Sequence, residues 1–129
     1  MTAWAPTILA DISTTDDLHI SLYRADGVTL GTPTWIWSVV VGDDLYVRAY
    51  NGTNSRWHAS AMSQGAGRIS AGGHTVDVSF APAPASVRDV VDAAYRTKYA
   101  GSPYLPPMIG SRAQAATVRI TPRGAIVEA

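Results

Sequence analysis

The sequence predicts an α+β domain, a small antiparallel β-barrel of six strands with two helices, and three observations lead there. Six short stretches are rich in β-branched and aromatic residues, several of them strictly alternating. Glycine, aspartate and asparagine turn signals separate them. Only two segments carry a helical signal, one of them late, so strands do not alternate regularly with helices as in a parallel α/β sheet. A chain of 129 residues suits one core rather than two. The barrel is expected over 18–123, after an N-terminal segment at 1–17 and before a C-terminal tail at 124–129.

Leu18 to Arg24 alternates, with Leu18, Ile20 and Leu22 on one side and His19, Ser21 and Tyr23 on the other, which is the pattern of a half-buried strand. Asp26-Gly27 and Gly31-Thr32-Pro33 punctuate the next stretch of chain. Thr34 to Val41 is apolar on both faces and reads as a central strand covered on both sides. Gly42-Asp43-Asp44 then turns into Leu45 to Tyr50, where Tyr46, Arg48 and Tyr50 share a face. After Asn51-Gly52, any of Thr53, Asn54 or Ser55 can cap a short helix through Arg56, Trp57 and His58 to about Met62. Gly65-Ala66-Gly67 ends that helix.

Arg68 to Ala71 and His74 to Phe80 read as strands joined at Gly72-Gly73, with Val76, Val78 and Phe80 facing one way. Ala81 to Ala85, with two prolines, is an extended connector. Ser86 with Asp89 resembles a capping box, and Val87, Val90, Val91 and Ala94 give one buried stripe of a helix running to about Tyr99. Gly101-Ser102-Pro103 breaks it, a proline-rich loop passes through Met108, and Ala115 to Thr121 closes the set as a strand.

Lysine plus arginine equals aspartate plus glutamate at ten each, so no overall field draws the chain to nucleic acid or an anionic membrane. Charged residues make up 16%, below the roughly 25% of an ordinary domain, which suggests surface hidden in an oligomer. There is no cysteine, which removes disulfides, thiolate metal sites and cysteine nucleophiles together. The start, Met1 to Pro6, does not read as a targeting leader, no run approaches a membrane span, and the expected location is the cytoplasm.

The most suggestive chemistry is Arg48 to Trp57, a strand leading through a polar turn into a helix start flanked by two arginines. Free N–H groups, a hydroxyl at Thr53 or Ser55, and Arg48 and Arg56 could hold a phosphate; the competing reading is a capped surface helix with solvated arginines. Trp35, Trp37 and Trp57 could wall a planar ligand, although an interface role competes for Trp35 and Trp37. Helical spacing brings Tyr95, Lys98 and Tyr99 together as ligand contacts or proton donors, while basic residues at a helix C-terminus are also expected from its dipole. His19, His58 and His74 share no metal-ligand spacing, and no metal is expected. His58, beside the candidate anion site, is the best placed acid or base.

Trp35-Ile36-Trp37-Ser38-Val39-Val40-Val41, Leu45-Tyr46-Val47-Arg48, Trp57 and Ala94-Tyr95-Arg96-Thr97-Lys98-Tyr99, in that order, resemble an uncharacterised bacterial family catalogued as domain of unknown function 2255. The resemblance covers nearly the whole chain from about Leu18. That family looks related to the split-barrel flavin-binding proteins, which include pyridoxamine phosphate oxidases and deazaflavin-dependent nitroreductases. The resemblance implies a six-stranded antiparallel split barrel, a homodimer, and a cofactor at the subunit interface, FMN or a deazaflavin, which some split barrels have lost. It implies Arg48, Thr53, Ser55 and Arg56 at the phosphate, Trp37 and Trp57 near the ring, and Tyr95, Lys98 and Tyr99 lining the substrate side, with a proton from a tyrosine or His58. The expected function is an oxidoreductase acting on a small organic molecule. The alternatives are a cofactor-free isomerase, dehydratase or cyclase working by acid–base catalysis, and a non-catalytic small-ligand-binding dimer.

Overall fold

A computed structural model describes residues 4–123. The expected tail at 124–129 and the first three residues lie outside them. Seven antiparallel strands form one sheet: β1 (His19–Leu22), β2 (Thr34–Trp35), β3 (Ser38–Val41), β4 (Asp44–Arg48), β5 (Ala66–Ala71), β6 (His74–Pro82) and β7 (Thr117–Pro122). Their spatial order is β2-β1-β5-β6-β7-β4-β3. Among the described residues five α-helices accompany them: α1 (Pro6–Ser13), α2 (Arg56–Gln64), α3 (Arg88–Lys98), α4 (Leu105–Met108) and α5 (Ser111–Ala115). No helix among the described residues is long and apolar enough to cross a membrane.

The topology itself dictates the curvature of the sheet. Its two edge strands, β2 and β3, belong to one stretch of chain and are separated only by Ile36 and Trp37. Laid flat, the outer strands of seven would stand about 29 Å apart. Three residue steps from Trp35 to Ser38 reach at most about 11 Å, so the sheet has to curl until its edges nearly meet. Thr34 to Val41 is therefore not the expected single central strand. It crosses from one edge to the other, and this split accounts for seven strands in place of six.

Two strands are covered on both faces: β3, whose Val40 packs one way and Val39 and Val41 the other, as expected for this run, and β4. Leu45 and Val47 enter the larger core with Ile8, Leu9, Ile12, Ile20, Ile69, Val78 and Ile120, whereas Tyr46 enters a smaller core with Val39, Val91, Tyr95, Tyr99 and Met108. β4 pairs with β3 on one side and β7 on the other, which satisfies its backbone while both faces are apolar.

Three helices lie where none was expected. α1 falls within 1–17, starts with proline in its first turn, and buries Ile8, Leu9 and Ile12; Trp4 just before it donates its indole N–H to the Ile120 carbonyl at 3.0 Å. The proline-rich stretch holds α4, whose prolines sit in its first turn, where a missing N–H costs nothing, and α5 follows. The capping box at Ser86 does not form, because a 3-10 turn over Ala85–Val87 precedes α3 and no side chain caps it. The buried stripe is rotated as well: Val91, Asp92 and Tyr95 are inside and Val90 is 49% exposed. Two large rings at i and i+4, Tyr95 and Tyr99, orient the helix more strongly than the valines do.

The turns match the sequence reading. Gly72 and Gly73 have φ of 57° and 82°, the two-residue reversal that suits a twisted hairpin. Gly65 closes α2 at φ 67°, with open space where a Cβ would stand. Gly65→Ala is thus expected to cost about 1 kcal/mol, from backbone conformation alone, measured by urea unfolding.

Candidate functional site

The segment that crosses between the sheet edges forms one wall of a cleft of about 500 Å³, through Thr34, Trp35, Ile36 and Trp37. Tyr50, just beyond β4, Trp57 on α2, Tyr104 and Met108 at α4, and Arg48 line the rest of it. Five aromatic side chains therefore surround one space. Tyr50 and Tyr104 meet edge-on within this lining, 6.4 Å between centroids.

Trp37 is held from behind. Its ring lies parallel to that of Tyr99, 3.9 Å between centroids and 4° between planes, with Tyr95 next at 6.5 Å. The last turn of α3 also grips the backbone of this crossing. The Tyr95 hydroxyl donates to the Trp37 carbonyl at 3.3 Å. The Tyr99 hydroxyl accepts from the Ser38 N–H at 3.1 Å and donates to its carbonyl at 3.3 Å, and Lys98 Nζ donates to that carbonyl at 2.7 Å. Burial pushes both phenols well above the usual tyrosine range and lowers the Lys98 ammonium. Tyr95, Lys98 and Tyr99, expected on the substrate side, lie behind the wall and position it.

Arg48 is also turned inward. It is 1% exposed, and its guanidinium pairs with Asp92 while Nε donates to Thr117 Oγ1 at 2.9 Å, Nη1 to the Met108 carbonyl at 3.0 Å and Nη2 to the Arg88 carbonyl at 3.1 Å. Gln114 holds the other Asp92 oxygen at 2.7 Å. The Arg48 group lies 5.4 Å from the Tyr95 ring centre. Its donors serve the fold, and it does not stand beside Arg56 at the start of α2 as a second phosphate anchor.

At α2, Thr53 is exposed in a 3-10 turn over Gly52–Asn54, and Ser55 occupies the N-cap position without a side-chain capping bond. Arg56 is exposed and lines a second pocket, of about 420 Å³, that shares Thr34 and Trp57 with the cleft. Arg24, Thr32 and Ser60 line that pocket with it. Sequence spacing does not point to Arg24, Tyr50 or Tyr104 as site residues, since nothing local ties position 24 to 56, or 104 to 37.

His58 is 8% exposed, does not line the cleft, and packs edge-on against Trp57. It is thus not brought together with Tyr95 and Tyr99 as an acid–base set. Burial lowers its pKa, because the folded state disfavours the charged ring. The unfolded chain then takes up a proton first as pH falls through about 6.5, and the stability this group contributes above that pH is lost on the way down to its folded pKa. His58→Gln is expected to flatten the stability profile between pH 7 and the acid side, read from urea midpoints at several pH values.

Residues 8–120 match a family described as an uncharacterized protein conserved in bacteria, DUF2255. The chain belongs to DUF2255. No protein of curated function matches this DUF2255 chain in sequence. Its fold is similar to that of a candidate pyridoxamine 5'-phosphate oxidase from Listeria innocua, with TM-score 0.67 and 11% identity over 95% of this chain and 97% of that one. A conserved hypothetical protein from Mycobacterium tuberculosis gives 0.66 at 12% identity, covering 95% of this chain and 82% of the other. An FAD and heme binding protein from Mycobacterium smegmatis gives 0.54 at 14%, covering 99% and 76%. At these identities the likeness establishes a shared fold for DUF2255, the split-barrel type, and nothing finer.

Proposed function

We propose that this protein binds a planar aromatic heterocycle of the flavin class in the cleft lined by Trp37 and Trp57, and uses it on a small organic molecule. The observation that carries the reading is the lining itself, in which Trp35, Trp37, Tyr50, Trp57 and Tyr104 converge on one space of about 500 Å³. That volume suits a ring system of this size, and rings of this kind stack on tryptophan and tyrosine faces. The likeness to an FAD and heme binding protein, and to a candidate oxidase of pyridoxamine phosphate, supports a planar ligand.

A bound flavin would supply electron transfer to or from the substrate. The chain's part is to hold and shelter it. Trp37 presents a flat face already backed by Tyr99, and Ile36 and Met108 add apolar surface that keeps water away. The acid–base alternative needs a convergent proton-transfer set, and His58, Tyr95, Lys98 and Tyr99 do not supply one at the cleft. A homodimer belongs to the same reading: Trp35 and Tyr104, in this lining, are 51% and 61% exposed, and a second copy would cover them.

The test is to mix purified protein with FMN or a deazaflavin, remove unbound cofactor by gel filtration, and record absorbance with light scattering. Near-equimolar flavin in a peak of about twice the chain mass is the expected result. A colourless peak with both cofactors would overturn flavin binding, and a flavin-loaded monomer would overturn the dimer alone.

A further inference from the structure

The second pocket has a chemistry of its own. It shares Thr34 and Trp57 with the aromatic cleft, so the two spaces adjoin at these residues. Arg24, which follows β1, and Arg56, at the start of α2, line it from elements far apart in sequence, together with the hydroxyl-bearing Thr32 and Ser60. No acidic residue is in the lining. Among the described residues the carboxylate ion pairs are those of Arg48, Arg68 and His74, and neither Arg24 nor Arg56 is in one.

Asp26 is the acidic group close to Arg24 in sequence, and its carboxylate is committed to its own turn. It accepts from the Val28 and Thr29 N–H groups, both at 2.9 Å, and from the Thr29 hydroxyl at 2.6 Å. Asp26 and Arg24 feel each other's charge without forming an ion pair, so the local excess of positive charge at this concavity is carried chiefly by Arg56. Guanidinium donors and hydroxyls suit a tetrahedral oxyanion, whose oxygens accept several charge-assisted hydrogen bonds at once.

We propose that this pocket is an oxyanion subsite in which Arg24 and Arg56 bind a phosphate group. Resting on the flavin reading, the phosphate is the end group of the ligand whose ring occupies the cleft, reached past Trp57. The selected ligand is then a phosphorylated flavin over the bare ring compound.

The experiment is a titration of wild type and Arg24→Gln/Arg56→Gln with riboflavin and with FMN, followed by tryptophan fluorescence. Both arginines are exposed, so the double variant should keep the wild-type circular dichroism and unfolding midpoint. Wild type should bind FMN about tenfold or more tighter than riboflavin. The double variant should lose that advantage and keep the wild-type affinity for riboflavin. Equal wild-type affinities for the two, or an advantage for FMN that survives the double substitution, would overturn the subsite.

If neither flavin binds, the ring reading fails by itself, and inorganic phosphate alone, followed by phosphorus NMR line broadening, decides the subsite. Broadening by wild type that the double variant abolishes would support it, with a free oxyanion as the source. Broadening absent, or equal in both proteins, would overturn it. Where FMN does bind, competition by phosphate against FMN but not against riboflavin would support the subsite, and competition against neither would overturn it.

Discussion

Replacing Asp92 by alanine is expected to destabilise the protein by about 3–5 kcal/mol, the cost of leaving a buried charge without its partner. The side chain of Arg48 is fully buried and that of Asp92 is 8% exposed, so water cannot take over the lost contact. The remaining bonds of Arg48, to Thr117 Oγ1 and to the carbonyls of Met108 and Arg88, offer dipoles and no countercharge. A domain of this size is stable by about 5–15 kcal/mol, so the variant should unfold at a much lower urea concentration. The pair Arg48→Met/Asp92→Leu should recover most of the loss, since replacing both charges with apolar groups of similar volume is often neutral. A midpoint shift worth under about 1 kcal/mol for Asp92→Ala would show that the pair does not anchor the α3 face of β4.

The second large effect concerns Trp57, which lines both pockets. Stacking of a planar base on an aromatic side chain is worth about 1–3 kcal/mol by alanine substitution, which corresponds to roughly 5- to 150-fold in affinity. Trp57→Ala is expected to weaken FMN binding within that range, and Trp57→Phe, which keeps a smaller ring, to weaken it less. Because Trp57 also packs against the larger core, each variant is compared at a temperature where its unfolding curve shows it fully native. Unchanged affinity in a native Trp57→Ala protein would move the ligand away from this wall.

Periodicity locates much of the framework. The alternation of Leu18, Ile20 and Leu22, the inward set Val76, Val78 and Phe80, and the glycine hairpin at 72–73 all depend on neighbours within a few residues, and all stand in the structure. The site is only partly legible. Trp37 and Trp57 both line the aromatic cleft, and Arg56 lines the adjoining pocket with Arg24. Arg48 looks equally suited to an anion because sequence shows its type and not its partner, and Asp92, 44 positions away, claims it. Tyr95, Lys98 and Tyr99 form the cluster that their spacing predicts, yet spacing along a helix cannot say which side of a wall that cluster occupies.

Residue order alone determined the α+β class, the hairpins, the two longer helices α2 and α3 and the membership in DUF2255, because these follow from local spacing and from residue identities read in line. Tertiary structure alone decided that Thr34–Val41 breaks into two edge strands, that β4 beside them is covered on both faces as well, and that Asp92 claims Arg48. The physical reason is common to all three. Curling the sheet brings its edges together, and the energy of that closure lies in contacts between residues tens of positions apart, such as Tyr99 with Trp37 and Arg48 with Asp92, which no local pattern encodes.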